Sequence, residues 1–160
     1  MVYLGSSHPI AMDPPGAADG AVVLAATPVR PSALAQLPHI GVVASWYGGN
    51  VSCSCVFLEQ SVPWEPRPES PETLGAFARL RQEVERHIAL GLSPIVFAAW
   101  VGHEDEPPVL CWRLAPRHLV PGHQLFKGGH LIEGGIPPDT YLLEFAPDVE
   151  APEHRVQHVP

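Results

Sequence analysis

Apolar residues recur along this chain with two periods, about two residues in some stretches and three to four in another, which divides it into strands and a single helix. The run Ala21-Val22-Val23-Leu24-Ala25-Ala26 reads as a buried strand, ended by Pro28 and Pro31. Farther on, Gly48-Gly49 separates two strand-like runs and supplies the positive φ angles that a two-residue hairpin turn requires. With those glycines as the loop, Trp46 pairs with Val51, Ala44 with Cys53, Val42 with Cys55 and Ile40 with Phe57, and every member of that face is apolar or small. The opposite face pairs Tyr47 with Asn50, Ser45 with Ser52 and Val43 with Ser54, which suits partial exposure or contact with another layer.

The segment from Pro63 to Pro71 is too rich in proline for a ladder or a helix and reads as an extended connector. It leads into the best-defined element, a helix at about residues 70–91. Ser70 can cap it, Pro71 fits its first position, Glu72 complements its dipole, and Gly91 stops it. Leu74, Phe77, Leu80, Val84 and Ile88 form its apolar stripe, while Arg79, Arg81, Glu83, Glu85 and Arg86 are expected on the other side. Beyond it, Ile95 to Val101 is apolar on both faces and reads as a central strand. The loop Gly102 to Pro108 returns the chain into Val109 to Leu114 as a second hairpin, and Tyr141 to Phe145 forms the last strand.

These elements predict an α+β fold: a mainly antiparallel sheet built from hairpins and packed against one long amphipathic helix. Residues 1–20, rich in glycine and proline and without periodicity, are expected to be an irregular N-terminal arm. Residues 21–146 form the single domain, and residues 147–160 a tail rich in Pro, Glu and His. A length of 160 residues suits one core.

Charge narrows the partners. Seventeen acidic residues against nine basic ones give a formal charge of -8, Lys127 is the only lysine, and the arginines are scattered, so nucleic acid and anionic membrane surfaces are not expected partners. No apolar run approaches the roughly 18 to 20 residues of a membrane span. Three cysteines, an odd and small number, fit a reducing compartment, and the cytoplasm is the expected location.

Candidate chemistry is sparse. Cys53 and Cys55, two residues apart, could join Cys111 and a histidine such as His103, His39 or His130 in a metal site, with zinc the ion such donors take. The hairpin alternation favours the plainer reading, in which both cysteines face the core as small hydrophobes, so zinc is an alternative rather than the expectation. The loop carrying His103, Glu104, Asp105 and Glu106 gathers one histidine and three carboxylates at the mouth of a central strand and is the candidate interaction loop. Trp46, Trp100 and Trp112 are candidates to line a small-molecule pocket. Nucleophile elbows and phosphate-binding loops are absent from the sequence, and no catalytic residue is assigned. The expected function is therefore a non-catalytic, acidic, protein-binding domain of an accessory, regulatory or immunity-like kind, whose partner is another protein and which could also self-associate. A small metal-binding protein or metal-dependent enzyme using the Cys/His cluster, and a tryptophan-lined pocket, are the alternatives.

Overall fold

A computed structural model of the chain describes residues 1–51, 54, 71–99, 102–119 and 140–155. The elements follow in the order β1 (Val2–Ser6), β2 (Val22–Ala26), β3 (His39–Tyr47), β4 (Asn50–Val51), α1 (Pro71–Ala89), β5 (Ile95–Ala99), β6 (Leu110–Leu114), β7 (Thr140–Phe145) and β8 (Glu153–Arg155), with short 3-10 turns at Ser32–Leu34 and Pro116–His118. All eight strands belong to one sheet in the spatial order β2-β3-β1-β5-β7-β6-β8, with β4 paired to the end of β3. Strands β6 and β7 run parallel, and the other described pairs are antiparallel. The fold is thus α+β, a mostly antiparallel sheet with one long helix. Among the described residues no helix is long and apolar enough to cross a membrane.

Alternation along the strands produces two buried faces. Val2, Leu4, Leu24, Val43, Val96, Leu143 and Phe145 face α1, which contributes Ala76, Phe77, Leu80 and Val84. Tyr3, Val42, Ala44, Phe97, Cys111 and Leu142 form the other face, covered in part by Leu34 and Leu37 around the first 3-10 turn. A sheet covered on both sides explains why β5 reads as a continuous apolar run. Helix α1 ends as its sequence predicts: Gly91 has φ +74, and the Leu92 and Gly91 amides donate to the His87 and Ile88 carbonyls at 3.0 and 2.9 Å. That pair of bonds is a Schellman closure.

The helix is rotated from its expected orientation. Its buried side chains are Thr73, Ala76, Phe77, Leu80, Glu83, Val84 and His87, whereas Leu74 is 47% exposed. Glu83, expected on the solvent side, is buried.

The N-terminus also departs from the irregular arm expected for residues 1–20, because Val2–Ser6 is a buried strand in mid-sheet, paired with β3 on one side and β5 on the other. Five residues are too few to show a period against the Gly- and Pro-rich stretch that follows. This strand reshapes the first hairpin. The turn pairs Trp46 with Val51 and Tyr47 with Asn50 as the sequence predicts, with Gly48 and Gly49 at φ +58 and +81. Val42 is flanked by Tyr3 of β1 and Ala25 of β2, while Cys53, Cys55 and Phe57, the partners expected deeper in the hairpin, lie outside the described residues. Ser54 closes the junction: its Oγ accepts from the Val2 amide at 2.8 Å and donates to the Val43 carbonyl. The second expected hairpin is corrected likewise. Strands β5 and β6 are not neighbours, because β7 lies between them. In the expected C-terminal tail, residues 153–155 pair with β6 as an edge strand.

Candidate functional site

The connection from β5 to β6 must bridge two strand spacings, about 10 Å, and it does so through a loop held at several points. Gly102 turns the chain at φ +95, and the Glu106 amide donates to the His103 carbonyl at 3.1 Å. The Glu104 carboxylate accepts from the Gly102 amide at 2.8 Å and from the Tyr3 hydroxyl at 3.3 Å. Ser32, at the start of the first 3-10 turn, donates its amide to the Glu104 carbonyl at 3.3 Å and its hydroxyl to the Asp105 carbonyl at 2.9 Å. At the far end, the Thr140 hydroxyl donates to the Pro107 carbonyl at 2.7 Å, and the Val109 amide donates to the Thr140 carbonyl at 3.1 Å.

This arrangement separates the three carboxylates by role. Glu104 is the inward, structural one: burial pushes its carboxyl up, but the Gly102 and Glu104 amides, the Tyr3 hydroxyl and the amino terminus outweigh that and hold it below the ordinary glutamate value. Burial and the Glu104 charge together raise Tyr3 far above the ordinary tyrosine value, so the phenol stays a donor to Glu104. Asp105 and Glu106 point to solvent. His103 Nδ1 donates to Glu106 Oε1 at 2.8 Å, with both side chains substantially exposed.

The other sequence candidates are dispersed. Cys111 is buried in the face away from α1, among Phe97, Tyr3 and Leu142. Cys53, Cys55 and His130 lie outside the described residues. Among the described residues no three His, Cys, Asp or Glu side chains gather to hold a metal ion. Trp46, on β3, and Trp112, on β6, are four strand steps apart, roughly 19 Å at about 4.8 Å per step. Trp112 packs with the helix-side core and against His154, whereas Trp46 shares the parity of Val42 and Ala44 and faces the other way. The two do not line one pocket, and Trp100 lies outside the described residues. His118 is structural: its Nδ1 accepts from the Ala115 amide at 3.1 Å and its Nε2 donates to the Glu150 carbonyl at 3.1 Å.

Sequence reasoning missed a second charged cluster. Residues 9–13 cross α1 as a strap and are gripped by three helix side chains. Arg86 donates to the Pro9 carbonyl at 2.7 Å, Arg79 to the Ala11 carbonyl at 2.6 Å, and the Ala11 amide donates to Glu83 Oε1 at 2.8 Å. Arg86 also grips Glu83 at 2.6 Å, and Arg79 Nε meets both oxygens of Asp13 at 3.0 and 3.1 Å. Burial raises the Glu83 carboxyl, but the Arg86 hydrogen bond, the Ala11 amide and the neighbouring positive charges outweigh it, and Glu83 titrates below its ordinary value. Buried His87 donates Nδ1–H to the Glu83 carbonyl at 2.9 Å. With its acceptors taken up by Arg86 and the strap, Glu83 serves as a clamp. The spacing permits this, since Glu83 and His87 fall three and seven residues after Leu80, but it equally permits the stripe through Leu74 and Ile88, so it does not single out Glu83.

No family model matches the chain, and neither the curated proteins nor the solved structures contain a match to it.

Proposed function

We propose that this domain is a non-catalytic protein-binding module that presents residues 103–106 to a basic surface on a partner protein. The observation that carries this reading is the contrast within the loop: Asp105 and Glu106 are exposed, while the backbone beneath them is tied to Ser32 and, through Glu104, to Tyr3. A loop ordered before association loses less conformational entropy on binding. A net charge of -8 steers a cationic partner toward it and repels nucleic acid.

The test compares proteins that co-purify with the tagged wild type and with an Asp105→Asn/Glu106→Gln double variant, quantified by mass spectrometry at low and high salt. A specific partner recovered by the wild type should be depleted roughly tenfold in the variant, since each neutralised contact removes on the order of 1 kcal/mol or less at a solvated rim. Salt should weaken capture by the wild type. Equal recovery of the same partner by both proteins at low salt overturns the assignment of this loop.

A further inference from the structure

The sheet has two edges, and the one formed by β2 is unlike most exposed edges. Its five residues, Val22–Ala26, include no charge and no proline, the usual guards against strand addition. Among the described residues no strand pairs with its outer side. The Val23–Ala44 and Ala25–Val42 register turns the backbone groups of Val22, Leu24 and Ala26 outward. At the centre of this row both groups of Leu24 are occupied by one residue. The Asp13 amide donates to the Leu24 carbonyl at 2.8 Å, and the Leu24 amide donates to Asp13 Oδ2 at 2.6 Å. Asp13 therefore imitates a neighbouring strand for a single residue, its carboxylate standing in for a backbone carbonyl. Arg79 of α1 holds that carboxylate from behind, at 3.0 Å.

We propose that the outer edge of β2 is a strand-addition surface for a second copy of this chain, held shut by the Asp13–Arg79 latch. The strand is self-complementary. An antiparallel pair with its two-fold axis at Leu24 sets Leu24 opposite Leu24, Val22 opposite Ala26 and Val23 opposite Ala25, with no like charges facing. In such a pair the Leu24 amide and carbonyl exchange two hydrogen bonds with their symmetry mates, replacing the two that Asp13 supplies. Beside the latch, a groove of about 280 Å3 separates residues 13–17 from the strand, lined by Asp13, Gly16, Ala21, Val22, Val23 and Arg79. This surface is separate from the loop at residues 103–106, and the proposal does not depend on the reading of that loop.

Sedimentation equilibrium over a range of concentrations tests the latch with three variants. Asp13→Ala removes the carboxylate that occupies the Leu24 amide, and Arg79→Gln leaves Asp13 in place but unpins it. Each should self-associate at least roughly tenfold more tightly than the wild type, because Asp13→Ala deletes the charge-assisted hydrogen bond that competes with pairing and Arg79→Gln removes the ion pair that holds it in place. Ala26→Pro, at an exposed outward-facing position, removes one amide from each copy in the proposed pair and should return Asp13→Ala to wild-type behaviour. Circular dichroism identifies a variant that fails to fold; if Asp13→Ala does, Arg79→Gln alone and combined with Ala26→Pro decides the question. Folded variants that keep the wild-type mass at every concentration overturn the proposal. So does a dimer that Ala26→Pro leaves intact, since it must form elsewhere.

Discussion

At position 83 a carboxylate occupies the buried side of a helix because three partners meet it there: the Ala11 amide and the guanidinium groups of Arg86 and Arg79. Its folded pKa lies below its ordinary value, so the unfolded chain binds the proton more readily. Its contribution to stability is therefore complete above the unfolded glutamate value of about 4.3 and is lost as the pH falls through the lower folded value. Glu83→Gln should lower stability at neutral pH by about 1 to 3 kcal/mol and flatten the loss of stability in acid. Urea unfolding of both proteins between about pH 7 and pH 3 checks this, and parallel curves would show that Glu83 does not carry the acid dependence. The residue types of this clamp are plain in the sequence. Its existence was not legible there, because the strap and the helix lie some seventy residues apart.

The helix itself was legible. Its start at Pro71, its end at Gly91 and its three-to-four-residue period are all local properties, and the structure reproduces them. Its rotation was not, because the period places apolar residues on a common side without saying which of several overlapping stripes meets the sheet. Thr73, Ala76 and His87 turn inward and Leu74 turns out. Leu80→Ala should accordingly cost about 2 to 5 kcal/mol, the usual loss for a fully buried leucine. Leu74→Ala, at a 47% exposed position, should cost well under about 1 kcal/mol. Chemical denaturation of the two variants separates these orientations, and equal losses would restore the stripe read from spacing alone. The hairpin turn at Gly48-Gly49 follows the same rule: Trp46 pairs with Val51 as its chemistry dictates, whereas the pairing of residues 39–43 with β1 joins segments distant in sequence.

Across the whole molecule, strands distant in sequence are interleaved. β1 joins β3 to β5 at the middle of the sheet, and β7 separates β5 from β6. Removing residues 1–7 should abolish cooperative folding, since it cuts the sheet between its two halves and deletes the buried Tyr3 and Leu4. Removing residues 153–160 takes away the short edge strand β8 and should leave a cooperative, somewhat less stable fold. Thermal unfolding followed by circular dichroism distinguishes the two truncations, and a folded protein lacking residues 1–7 would overturn the central placement of β1.

The sequence by itself determined the class of fold, the helix and its end, the tip of the first hairpin, the acidic loop and the overall negative charge. Each depends on neighbours a few residues apart, through backbone geometry, side-chain period or composition. Only the tertiary structure decided the strand order, the burial of Glu83, the separation of Trp46 from Trp112, the division of Glu104 from Asp105 and Glu106, and the covering of Leu24 by Asp13. Those are set by which distant segments satisfy one another's hydrogen bonds and apolar surface, and no local pattern encodes that choice.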